Sequence, residues 1–318
     1  MPKTEVRRAE PGSAGKRSGR AFARYAWAVL AYNVGVVLWG AYVRATGSGA
    51  GCGKHWPLCN GEVTPQAPTM ATIIEFTHRV TSGLDLALVA VLVIWAFRAF
   101  PRRHPVRQGA ALSAVFLVTE ALLGAALVLL EHVARNASSA RAYSLSTHLI
   151  NTLTLLACLA LTAWWAMGRP AVQPRGPGVW MAALALAAVM LVGVSGAIAA
   201  LGDTLFPAQS LAQGLAQDFD PAANIFLRLR GLHPMIAASA GAWLVFYAVT
   251  SASRHPDARP QAWLLAGLAV AQLAAGAANL LLLAPVWMQM VHLLLADLVW
   301  ISLVLLCARM LAAKREMR

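Results

Sequence analysis

Charge is scarce in this chain. Asp, Glu, Lys and Arg make up 12% of its 318 residues, and only 13 residues are acidic. An ordinary soluble domain carries about a quarter charged residues, so that class is excluded. Cysteine is scarce as well. Its four positions, Cys52, Cys59, Cys158 and Cys307, do not suit a zinc ribbon, and no Cys-x-x-Cys-His sequence for covalent heme occurs. A phosphate-binding Walker loop and a dinucleotide glycine fingerprint are both missing. The basic stretch before the first apolar run is too long for a cleavable signal peptide. It also contains Glu5 and Glu10, whereas mitochondrial transit peptides avoid acids. A bacterial plasma membrane is the expected location.

What fills the chain instead is apolar. Hydrophobic residues account for 59% and the mean hydropathy is +0.61. A spanning helix needs about 20 mostly apolar residues, and eight such runs lie near 22–43, 70–97, 109–131, 144–167, 179–201, 224–250, 261–283 and 288–311. The expected fold is an all-α membrane protein of eight transmembrane helices. The net charge of +13 does not imply nucleic acid, because nineteen of the 26 basic residues fall on one side if both ends are cytoplasmic. That distribution satisfies the positive-inside rule at every loop.

The runs form two tandem, pseudo-symmetric four-helix bundles. Glu120-Ala-Leu-Leu-Gly124-Ala-Ala in the third run matches Gln272-Leu-Ala-Ala-Gly276-Ala-Ala in the seventh. His148-Leu149 and His292-Leu293 repeat in the fourth and eighth, His78 and His233 in the second and sixth. Four helices per unit give repeats of like membrane orientation, related by an axis along the membrane normal. Residues 1–21 read as a basic cytoplasmic tail, 22–170 as the first half and 171–318 as the second, joined at "GRPAVQPRGPG". Long outer loops, 45–69 and 202–223, occupy equivalent places in the two halves.

Of eight histidines, four lie in loops or at helix ends (His55, His104, His132, His255). The others sit one on each even-numbered run, a turn or two in from the outer face. A single intramembrane histidine can satisfy itself by a hydrogen bond between helices. Four at matched depth point to ligation, since neutral imidazole binds iron, copper or zinc. Facing pairs in a dry bundle suit two bis-histidine hemes, one per half. The sequence around His148, His233 and His292 shows no carboxylate partner, with Asp297 a potential exception, and this argues against a di-metal carboxylate site.

The halves differ. Glu75 precedes His78 by three residues and shares its helix face, while Arg230 holds that place before His233. A buried carboxylate beside a heme can accept a proton or stabilise a developing cation. It can equally be an ion pair with Arg79 or Arg44. Arg79 and Arg228 are candidates for binding heme propionates, or for snorkelling to the interface. Cys52 and Cys59, in "GCGKHWPLCNG", face an oxidising compartment where a disulfide is permitted, as a structural staple or as a redox or heme-handling pair. Cys158 and Cys307 read as packing residues.

"VRATGSGAGCGKHWPLCNG" at 43–61 followed by "EFTHR" at 75–79 resembles heme A synthase, the membrane enzyme family that oxidises a ring methyl of heme O to a formyl group through an alcohol. The resemblance spans nearly the whole chain. It implies that His78 and His148 form a substrate-heme site with Glu75 as the essential acid beside it. It also implies that His233 and His292 hold a resident heme b, and that Cys52 and Cys59 form a disulfide. Heme O and heme A become substrate and product. A heme O synthase, an electron partner, membrane lipid and a homo-oligomer are the partners to consider. The chain departs from the family pattern at Lys54-His55, where Pro-Asp is common, and in the cysteine-free loop 202–223. A non-catalytic diheme b-type cytochrome would explain the four histidines but not Glu75, the cysteine loop or the unequal halves. A transporter would account for the repeat alone.

Overall fold

The computed structural model describes residues 13–176 and 178–312. The basic residues Lys3, Arg7, Arg8, Lys314, Arg315 and Arg318, and the first part of the expected tail, lie outside that range. Among the described residues the architecture is helical throughout, with ten α-helices, one 3-10 turn and no strand. Eight spans are long and apolar enough to cross a membrane. In lipid every backbone polar group must be satisfied within the protein, which a helix does unaided.

The first half comprises α1 (Ser13–Ala45), α2 (Met70–Ala99), α3 (Pro105–Leu129) and α4 (Ser139–Ala166). The second comprises α5 (Gly178–Leu205), the short α6 (Leu211–Phe219) and α7 (Ile225–Arg230), then α8 (His233–Arg254), α9 (Arg259–Leu281) and α10 (Val286–Met310). Helix starts carry their own signals. The Thr69 and Ser138 side chains accept backbone N–H groups of α2 and α4, and Pro105 opens α3, a position that needs no N–H. The sixth run is broken where a continuous helix was expected. α7 ends at Arg230, and α8 begins at His233 with Pro234 in its first turn. Helix α1 starts at Ser13, ahead of the expected 22.

Small residues let the helices approach closely, the usual device where lipid supplies no hydrophobic drive. At Gly109 of α3 a Cβ would meet Oγ1 of Thr162 on α4 at 2.4 Å. The halves meet along α1, α4, α5 and α10. Trp300 of α10 donates its indole N–H to the carbonyl of Leu153 on α4 at 2.6 Å. Arg44 in the last turn of α1 donates to the Ala200 carbonyl, Thr204 Oγ1 and Gln289 Oε1, all in the second half.

Candidate functional site

The four helix-borne histidines lie about two turns in from the N-terminal end of their spans, on α2, α4, α10 and at the α7–α8 break. Each faces a glycine on the helix preceding its own span. A Cβ added at Gly40 of α1 would lie 3.0 Å from His78 Cε1, at Gly196 of α5 3.0 Å from His233 Cε1, and at Gly276 of α9 3.0 Å from His292 Cε1. Gly124 of α3 faces His148 Nε2 at 4.0 Å. Four imidazoles are thus set in four places kept free of side chain. His148 is within electrostatic reach of His78, and His292 of His233, so each half brings its own pair together. Among the described residues no group of three or more His, Cys, Asp or Glu could hold a bare metal ion. Two imidazoles per half, with glycine cradles beside them and buried Nδ1 atoms of His78 and His292 lacking a hydrogen-bond partner among the described residues, fit a planar macrocycle ligated from both sides. His233 Nδ1 meets Ser195 Oγ at 2.9 Å.

Glu75 is buried, at 3% exposure, and both its oxygens are engaged. Oε2 accepts the backbone N–H of Cys52 at 2.9 Å, and Oε1 accepts from Arg79 Nη2. The Arg79 ion pair is therefore present, while Arg44 binds the second half. Thr72, Glu75 and Arg79 make one stripe on α2 that receives the outer loop. Thr72 Oγ1 donates to the Gly51 carbonyl at 2.9 Å. Arg79 Nη1 donates to the carbonyls of His55 and Leu58, at 2.6 Å each. Gly51 packs so closely on α2 that a Cβ there would lie 2.4 Å from the Ala71 carbonyl. Cys52 and Cys59 form a disulfide within this loop, and both are buried.

Arg230, at the place of Glu75 in the second half, plays the same tying role with reversed charge. Its guanidinium pairs with Asp203 of α5 and Asp218 of α6 at 3.1 and 2.7 Å, and also donates to the Gly214 carbonyl and Gln217 Oε1. The cysteine-free loop is closed by an ion-pair cluster. Leu211, Leu215 and Phe219 lie exposed along one side of α6. Arg228 is exposed.

One expectation is corrected. His148 does have a carboxylate neighbour: Glu120 Oε2 of α3 lies 3.3 Å from its Nδ1, near but not aligned as a hydrogen bond. Sequence reading used Glu120 only as a repeat marker. The signal was available in the pairing of Glu120 with Gln272, since both precede the glycine facing a histidine, and Gln272 Nε2 lies 3.3 Å from His292 Nε2. Asp297 is buried, with one oxygen unpartnered among the described residues.

Comparison with known proteins points the same way as the cysteine loop and the histidines. A profile of the cytochrome oxidase assembly protein family, COX15-CtaA, matches residues 23–304. A Thermus thermophilus protein named protoheme IX farnesyltransferase is 53% identical over 299 residues, covering 92% of this chain and 49% of that protein. The chain thus spans about half the length of the first curated relatives it matches. Proteins named heme A synthase from Bacillus mycoides and Bacillus cereus are 52% identical over 93 residues, covering 29% of this chain and 30% of theirs.

Proposed function

Because the chain belongs to the heme A synthase family of cytochrome oxidase assembly proteins, we propose that it oxidises the ring methyl of heme O to the formyl group of heme A through an alcohol. The observation that carries this reading is the unequal pair of histidine sites. Both halves offer two imidazoles and glycine cradles, but only the first half sets a buried carboxylate one turn ahead of its histidine: Glu75 precedes His78 by three residues, whereas the buried Asp297 follows His292 by five.

Conversion of methyl to formyl takes one oxygen atom from water or dioxygen and removes four electrons. With water as the source, four protons are released. A base and an electron acceptor are therefore required. His78 and His148 would ligate the substrate heme, whose apolar farnesyl-derived tail suits a site among membrane helices. Glu75, three residues from His78, would accept a proton or stabilise positive charge at the reacting periphery. Its hydrogen bonds to Arg79 and Cys52 tie its position to the disulfide loop. Arg79 is committed to that loop and to Glu75, which favours positioning of the acid over propionate binding. Arg228, exposed beside the second site, remains the candidate for a propionate there.

His233 and His292 would hold a resident heme b, which supplies one-electron transfer when bound. The protein's part is to orient the two imidazoles and keep the second site free of a Glu75 counterpart.

The Thermus relative's name describes farnesyl transfer to protoheme, the chemistry that precedes heme O oxidation. It shares about half its length with this chain. We assign the named transfer to the half not shared, and infer that this chain works beside a farnesyl-transferring enzyme that supplies its substrate. The expected setting is a bacterial plasma membrane with both termini cytoplasmic and the heme sites towards the outer face.

The test is chromatographic identification of hemes extracted from the purified protein, expressed with and without a heme O-producing enzyme. The expected result is heme B alone without it, and heme O, its alcohol or heme A beside heme B with it. Two equivalents of heme B with unaltered heme O would replace this reading with an electron carrier.

A further inference from the structure

We propose that Glu120 is a positioning residue for His148. Its carboxylate stands against Nδ1 at 3.3 Å, brings a negative charge to that side of the ring, and so makes Nε2 a more electron-rich donor than His292 can offer in the second half. The inference rests on the reading of His78 and His148 as the substrate-heme pair.

The carboxylate is held in place before it reaches the histidine. Asn151 Nδ2 donates to Glu120 Oε2 at 2.6 Å, and Thr152 Oγ1 donates to Oε1. Asn151 is itself fixed, donating to the Phe116 carbonyl at 2.8 Å and accepting from Thr119 Oγ1 at 2.6 Å. His148, Asn151 and Thr152 stand at i, i+3 and i+4 on α4, the spacing that stacks side chains on one helix face, and that face meets α3. Two donors thus anchor the carboxylate, leaving its Oε2 3.3 Å from His148 Nδ1. The opposite ring nitrogen, Nε2, lies towards the Gly124 cradle.

The second half lacks this network. Gln272 replaces Glu120, and the positions matching Asn151 and Thr152 are Leu295 and Ala296. A neutral amide can meet an imidazole but brings no negative charge to it. A carboxylate that accepts the N–H of a ligating imidazole fixes its tautomer and raises its basicity, and losing such a partner lowers affinity about 10- to 100-fold. Glu75 does not supply this function, because its oxygens are engaged by Cys52 of the loop and by Arg79 of its own helix.

The experiment uses the full-length protein carrying His292→Ala, so that the first-half site is read alone. Hemin is titrated into heme-depleted protein, with affinity followed by Soret absorbance and midpoint potential by redox titration. Glu120→Gln keeps an acceptor for Thr152 and should preserve folding, yet should weaken hemin binding about 10-fold or more and raise the potential. Glu120→Asp should restore part of both. A folded Glu120→Gln protein with unchanged affinity and potential overturns the role. If Glu120→Gln does not fold, Glu120→Asp decides, because it draws the carboxylate back from Nδ1, and an affinity and potential equal to those of the unaltered first-half site overturn the proposal. If hemin binding in the His292→Ala protein is indifferent to a further His148→Ala change, the reading of the pair falls, and the role of Glu120 with it.

Discussion

The two halves use one scaffold for opposite electrostatic purposes. In each, the residue three places before the histidine of the even span bolts the outer loop to the bundle. In the first half that residue is Glu75, which receives Cys52 and Arg79. In the second it is Arg230, which receives Asp203 and Asp218. In each, a polar residue on the third helix approaches the histidine of the fourth. In the first half it is the carboxylate Glu120, in the second the amide Gln272. The positions that carry a histidine and a glycine match between the halves, and the positions that carry charge do not.

The comparison breaks most completely if the histidines are interchangeable. His233→Ala or His292→Ala should abolish the resident b-heme absorption band of the purified protein while leaving the first-half pair intact; a retained band would mean the halves are assigned the wrong way round. Next in size, Glu75→Gln should keep heme binding and lower heme O conversion about 10²- to 10⁴-fold, the usual worth of a positioned acid–base group. Normal heme A yield from that variant would reduce Glu75 to a loop fastener. The cradles offer a steric version of the same contrast. Gly40→Val should crowd the His78 ring, at a cost of about 1–3 kcal/mol, and reduce substrate-heme retention without touching the b-heme. Gly276→Val should do the reverse, so equal losses at both sites from either change would show that the sites are not separable. The smallest effect belongs to the second-half bolt. Arg230→Ala leaves Asp203 and Asp218 without their shared cation, and limited proteolysis should then cut loop 202–223 faster, with heme content nearly unchanged.

Much of this contrast was legible before any coordinates. Eight apolar runs, the basic residues on one side and four histidines at one depth follow from periodicity and the energetic cost of polar groups in lipid. The sequence offered Glu75 two ion-pair partners, Arg79 by i, i+4 spacing and Arg44, and the structure pairs it with Arg79. Other features required three dimensions. Nothing local in the sequence says that Arg79 reaches the carbonyls of His55 and Leu58, because that contact depends on how a disulfide-closed loop folds back over α2. Gly40 and Gly196 look like ordinary small residues of a membrane helix until a histidine from the next span is found against them. Glu120 was misjudged because its partners, Asn151 and Thr152, lie on another helix, and only their helical spacing relative to His148 hints at a common face. The break before His233 was hidden by a run apolar enough to read as one helix, although Gly231 and Pro234 mark the place.

Arg44 carries the inequality of the halves into the seam between them. It stands on α1, yet its guanidinium is satisfied by Ala200, Thr204 and Gln289 of the second half. Ala200 occupies the matching place on α5, four residues after the His-facing glycine, and answers through its backbone carbonyl instead of a side chain. The clasp therefore runs one way: a change at Arg44 unfastens three contacts at once, whereas a change of the Ala200 side chain leaves the accepting carbonyl in place.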